Sequence, residues 1–149
     1  MTTQAELVRL EIPALPAFVG VARTVIVAIA TSIEGIDDDR LEDLRIAVSE
    51  ACTNAVEAHR SEEIEQRVVL RCLLDDEHLE IRIEDAGGGF DPDSLSTPRG
   101  EDPEGLRAER GWGIQLIRAL VDDVTFNRSG NGTAVSLAMR LSPAGGDLG

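Results

Sequence analysis

The chain has 149 residues, 42% hydrophobic but only 3% aromatic, and carries 14 basic against 28 acidic residues for a formal net charge of −14. That length is one domain with room for a single aliphatic core, and so acidic a chain with scattered cations disfavours direct DNA or RNA binding. All 14 basic residues are arginine, which excludes a phosphate-binding loop or a eukaryotic-type protein kinase, since each needs a lysine on the phosphates.

Leu7–Ile12 alternates apolar and charged residues and stops at Pro13, which predicts a first strand. Residues 17–32 are small and apolar with few turn formers, predicting a helix that Gly35 closes. Asp37–Asp39 offer N-caps and favourable charge for the next helix. That helix spans 39–58, where Leu41, Leu44, Val48, Ala51 and Ala55 recur at three- and four-residue steps and form one apolar face.

Residues 66–74 and 78–84 are strand-like, with Asp75-Asp76-Glu77 between them, and predict a hairpin. The second strand runs directly into Gly87-Gly88-Gly89. Residues 91–110 contain Pro92, Pro98, Pro103, Gly100 and Gly105 and little apolar content, the composition of a functional lid or a disordered stretch. Gly111 opens a helix to about Val121. Residues 124–128, the turn Ser129-Gly130-Asn131-Gly132 and residues 133–141 predict a closing hairpin, and 142–149 a frayed tail.

The order β-α-α-β-β-loop-α-β-β predicts an α/β (α+β) two-layer sandwich. Its sheet is mixed and mostly antiparallel, with helices covering one face. One domain over 1–149 is expected, with its core over about 7–141. No window has the length of a membrane span and the N-terminus lacks a signal sequence, so no membrane association and a cytoplasmic location are expected. Cys52 and Cys72 lie inside periodic segments without a CxxC spacing and read as buried thiols.

Three short blocks carry the chemistry. On the second helix Glu50, Thr53, Asn54 and Glu57 fall at i, i+3, i+4 and i+7, a polar stripe beside the apolar one. A carboxylate at Glu50 can accept a proton from an attacking hydroxyl, and the Asn54 amide oxygen is a hard ligand suited to Mg²⁺. The same stripe is also what a solvated helix face looks like. Asp85 ends a strand ahead of three glycines, which allow close backbone approach to a ligand; a carboxylate there can accept from an exocyclic amine such as that of adenine. Asp-Gly turns are common in any case. Gly111-Trp112-Gly113 begins a helix, whose free amides suit phosphate, and Arg110, with Arg107 behind it, can reach a terminal phosphate from the lid.

The blocks occur together in a recognisable order. Ser49-Glu50-Ala51-Cys52-Thr53-Asn54 resembles the N-box of the GHKL (Bergerat-fold) ATPases. Asp85-Ala86-Gly87-Gly88-Gly89 resembles their DxGxG box, and Arg110-Gly111-Trp112-Gly113 and Gly132-Thr133 their later glycine boxes. The short form with this N-box is similar to bacterial anti-sigma-factor serine/threonine kinases. The resemblance implies binding of ATP and Mg²⁺, and γ-phosphoryl transfer to a serine or threonine of an anti-sigma factor antagonist. It further implies sequestration of a sigma factor and allows a homodimer. Residue by residue, Glu50 corresponds to the general base and Asn54 to the Mg²⁺ ligand. Asp85 corresponds to the adenine-reading carboxylate, supported by Thr133, while Gly87, Gly89, Gly111 and Gly113 shape the pocket. The alternatives are a nucleotide-dependent partner-switching module without catalysis, or a detached histidine-kinase ATP domain. Neither His59 nor His78 lies in a convincing phosphoacceptor helix.

Overall fold

A computed structural model describes residues 4–58, 67–85, 114–129 and 132–142. The chain opens with β1 (Ala5–Pro13) and a 3₁₀ turn at Pro16–Phe18. Two helices follow, α1 (Val19–Thr31) and α2 (Asp38–Ala58), and then β2 (Arg67–Leu74) and β3 (His78–Asp85). A helix α3 over 114–120 precedes β4 (Asp123–Ser129) and β5 (Gly132–Arg140).

Local chemistry explains most boundaries. Pro16 fixes φ for a tight first turn, so the expected helix over 17–32 begins as 3₁₀ before becoming α-helical. Gly35 takes φ +102°, a left-handed conformation that side chains resist, and its carbonyl accepts from the Ser142 N–H at 2.9 Å. Asp37 caps α2: its Oδ1 accepts from the Arg40 N–H at 2.9 Å, and Asp38 and Asp39 place negative charge in the first turn. In the β2–β3 turn, Asp75 Oδ1 accepts from the Glu77 and His78 N–H groups, both at 2.7 Å. Those two amides, Glu77 first, hold the Asp75 carboxyl below its ordinary range.

The sheet order is β1-β2-β3-β5-β4, and all four pairings are antiparallel. The parallel component of a mixed sheet is therefore absent among the described residues. The reason is topological: β4 returns on the far side, and β5 folds back into the position beside β3. Ile83 faces Val135 and Asp85 faces Thr133 across that junction.

Helices cover one face. Val68, Leu70 and Cys72 of β2, Leu79, Ile81 and Ile83 of β3, and Val135, Leu137 and Met139 of β5 point to them. They meet Leu44, Val48, Ala51, Cys52 and Ala55 of α2, with Ala22, Ile26 and Ala30 of α1 in the same core. Both cysteines are free, and burial pushes the Cys52 thiol up to about 12 and the Cys72 thiol up to about 11. The opposite sheet face is charged: Arg71 Nε meets Glu6 Oε1 at 2.6 Å and its Nη1 meets Glu84 Oε2 at 3.2 Å.

Candidate functional site

Period two along β3 puts Leu79, Ile81 and Ile83 on the helix-facing side, and Asp85 is next in that phase. The strand therefore ends by turning a carboxylate, 2% exposed, toward the layer between sheet and helices. Thr133 repeats the pattern on β5, in phase with Val135, Leu137 and Met139, and is 3% exposed. The two are opposite one another in the β3–β5 register, and neither residue is without a partner. Placing a carboxylate at a core position is costly unless it is hydrogen-bonded, so this pair marks where the sheet stops being only a core.

Asn54 reaches the same end by a different route. At the near end of α2, the Arg40 guanidinium donates to the Arg140 carbonyl at the close of β5. From Arg40 to Asn54 the helix rises about 21 Å, and from Arg140 back to Thr133 the strand covers about 23 Å. α2 packs along β3, so its Asn54 turn lies at the sheet end that carries Asp85 and Thr133. β2 begins at this end too, since Val68 is paired with Asp85.

Asn54 is 5% exposed, lies among buried Cys52, Ala55 and Val56, and its Nδ2 meets no hydrogen-bond partner among the described residues. The polar stripe is thus not a uniformly solvated face. Glu57 is exposed, Glu50 and Thr53 are partly buried, and Asn54 is enclosed. A buried amide with an unmet donor is the group expected where a ligand supplies the missing partner. An amide offers both functions: the nitrogen donates to a phosphate oxygen, and the oxygen ligates a hard cation. Glu50, one turn earlier, has the partial exposure that a proton acceptor needs to meet an incoming hydroxyl.

Gly87, Gly89, Arg110, Gly111 and Gly113, together with Arg107, Trp112 and the lid over 91–110, lie outside the described residues. The expected helix from Gly111 to Val121 is described from 114 to 120. Among the described residues no cluster of three or more His, Cys, Asp or Glu could hold a metal, and no helix is long and apolar enough to cross a membrane.

The residue pattern gave no role to a groove of about 320 Å³ lined by Pro16, Val19, Gly20, Arg23, Thr53, Val56 and Glu57. Arg23 Nη1 there donates to Ser49 Oγ at 3.4 Å, beside the N-box. A lone arginine within an otherwise uncharged helix was the available signal.

The arrangement has the elements of a known family. The model of the histidine kinase-like ATPase domain matches residues 12–139, from the end of β1 nearly to the end of β5. The chain belongs to the histidine kinase-like ATPase domain family. Within this family it is similar to the serine-protein kinase RsbW of Oceanobacillus iheyensis, at 36% identity over 124 residues, covering 80% of this chain and 78% of that one. It is also similar to the RsbW of Bacillus subtilis, at 34% identity over 143 residues, covering 93% and 87%. The fold matches a crystal structure of the RsbU and RsbW domains of Rv1364c from Mycobacterium tuberculosis, with TM-score 0.64 and 21% identity over 91% of this chain. The chain spans 33% of that longer protein. The SiaB–SiaC complex from Pseudomonas aeruginosa gives a second fold match, with TM-score 0.52, 13% identity and 91% of each chain covered.

Proposed function

We propose that this histidine kinase-like ATPase domain is an ATP-dependent serine/threonine protein kinase acting on an anti-sigma factor antagonist, and that it also sequesters a sigma factor. The observation that carries the reading is the buried Asn54 amide with an unmet donor, on the helix end beside the opposed Asp85 and Thr133. The RsbW relatives, named as serine-protein kinases, support a protein serine as the acceptor. Cytoplasm is the compartment that reading requires.

In this proposal Asp85 accepts from the exocyclic amine of adenine, with Thr133 beside it. Gly87, Gly89, Gly111 and Gly113 let backbone approach the nucleotide, and Arg110 meets the terminal phosphate. Asn54 would donate through Nδ2 to a phosphate oxygen and would hold Mg²⁺ through its amide oxygen, where the ion would supply charge neutralisation for the transferring phosphoryl group. Glu50 orients the attacking serine or threonine hydroxyl and takes its proton as the new oxygen–phosphorus bond forms and the bond from the γ-phosphorus to the bridging oxygen breaks, releasing ADP. The remaining catalysis is positioning and electrostatics, which suits a site of one base and many backbone amides.

Glu50→Gln separates catalysis from binding. With labelled ATP and a candidate antagonist, transfer is expected to fall by about 10²–10⁴ while ATP affinity stays near wild type. Undiminished transfer removes Glu50 as base. No transfer by the wild-type protein, with nucleotide still bound, would leave a partner-switching module without kinase activity.

A further inference from the structure

We infer that the groove between the 3₁₀ turn, α1 and α2 binds a small aliphatic monocarboxylate, whose charged head is held by the Arg23 guanidinium. Such a site does not depend on the nucleotide reading and is tested apart from it.

Arg23 is the only charged residue of α1, which is otherwise built from Val, Ile, Ala, Gly and Thr. Its helix neighbours at three and four residues are Val19, Gly20, Ile26 and Val27, so no acid is within reach along the helix. Across to α2 it finds only a hydroxyl: Nη1 donates to Ser49 Oγ at 3.4 Å, beyond the ordinary range of about 2.7–3.2 Å. Arg40, Arg45, Arg71 and Arg82 each face a carboxylate. Among the described residues Arg23 faces none, in a chain with twice as many acids as bases. Most of a planar fork that matches a carboxylate is therefore uncommitted. The side chain is half-buried, and a charge drawn out of water without an opposite charge carries a free-energy cost that a bound carboxylate offsets.

The space beside it fits the rest of such a ligand. The groove has a volume of about 320 Å³, at the small end of ligand pockets. Pro16, Val19 and Val56 give it an apolar wall. Gly20 keeps it wide, since a carbon added there would stand 3.4 Å from Arg23 Nη2, an ordinary contact. The other charge in the lining is Glu57, which is exposed. A second negative charge on the ligand would be repelled by it, so a monoanion is favoured over a dicarboxylate or a phosphate. The acidic side chain of a protein offers the same head group, but a recess walled by three elements suits a small molecule better than a flat protein face does.

The test is NMR titration of ¹⁵N-labelled, nucleotide-free protein with butanoate, hexanoate, hexanamide and adipate. Hexanoate should give saturable shifts that are largest at Gly20, Arg23 and Thr53. Affinity should rise roughly fourfold for each added methylene, so hexanoate should exceed butanoate by about tenfold or more. Hexanamide, which lacks the charge, and adipate, which adds one, should each bind about tenfold more weakly than hexanoate. Arg23→Ala should lose about tenfold or more in hexanoate affinity, and Arg23→Lys should be intermediate because its ammonium lacks the fork. Gly20→Leu places a side chain in the groove while raising helix propensity; it should melt no lower than wild type and fail to bind. No saturable shift with hexanoate, equal binding of hexanamide, or undiminished binding by folded Arg23→Ala overturns the inference. Should Arg23→Ala fail to fold, Gly20→Leu decides: lost binding supports the site and retained binding overturns it. Weakened binding of a protein partner by Arg23→Ala, with no acid bound by wild type, would give the groove to that partner and equally overturn it.

Discussion

Replacing Asn54 by alanine should stabilise the nucleotide-free protein while removing its response to ATP and Mg²⁺. Asn54 is 5% exposed with Nδ2 unmet among the described residues. An unmet buried donor costs about 1–3 kcal/mol. Alanine also exceeds asparagine in helix propensity by up to about 0.7 kcal/mol, which counts here because the position is inside α2. Against these stands a void somewhat larger than a methyl group, worth about 1 kcal/mol. The balance is a gain of roughly 1–2 kcal/mol, which in a domain of this size raises the melting temperature by about 3–6 °C. Saturating Mg-ATP works in the other direction. At a hundred times its dissociation constant, a ligand stabilises the wild type by about 2.7 kcal/mol, and the variant should lose most of that. Thermal melts of both proteins, with and without Mg-ATP, should therefore cross. Asn54→Ala should melt above wild type alone and below it with nucleotide. A variant lower under both conditions would make the amide a structural group, and one higher under both would show that nucleotide does not use it.

Further outcomes follow from the same structure. Gly35→Ala should destabilise the fold by about 1–3 kcal/mol in denaturant titration, because φ is +102° and the added carbon would stand 3.0 Å from Ser142 O. Unchanged stability there would contradict the left-handed turn. Burial raises both thiols well above the ordinary value of 9.0. The unfolded chain therefore loses those protons first, and this contribution to stability is fully present below pH 9 and fades as pH climbs toward 11 and 12. Cys52→Ala with Cys72→Ala should flatten that alkaline decline, and both native thiols should resist alkylation at pH 8; rapid modification of folded protein would refute their burial. Glu50→Gln, described above, should leave affinity intact and remove transfer.

Much of this was legible locally. The alternation in His78-Leu79-Glu80-Ile81-Arg82-Ile83 predicts β3 and its buried face, and the three- and four-residue steps from Leu41 to Ala55 predict α2. The Asp37 cap and the Asp75 turn are short-range hydrogen bonding that composition exposes. Extending the β3 alternation by two residues puts Asp85 at a core position, and its sequence setting already reads as a buried aspartate. What stayed hidden was non-local. The insertion of β5 beside β3 depends on pairings between segments about 50 residues apart, to which no local preference corresponds. The burial of Asn54 could not be separated from a solvated stripe by spacing alone, because helix periodicity gives an angle and not the neighbour found there. The Arg40–Asp122 contact joins positions 82 apart through side chains that look like ordinary surface charges.

The central claim is that Asp85, seated opposite Thr133 and buried, reads the adenine of a nucleotide whose phosphates reach Asn54. Calorimetric titration of the wild-type protein with Mg-ATP and with Mg-GTP addresses it most directly. A carboxylate accepts from the amine of adenine and repels the carbonyl oxygen that guanine places there, so ATP should bind more tightly by about tenfold or more. Equal affinity for the two nucleotides, or heat from neither, would contradict the account.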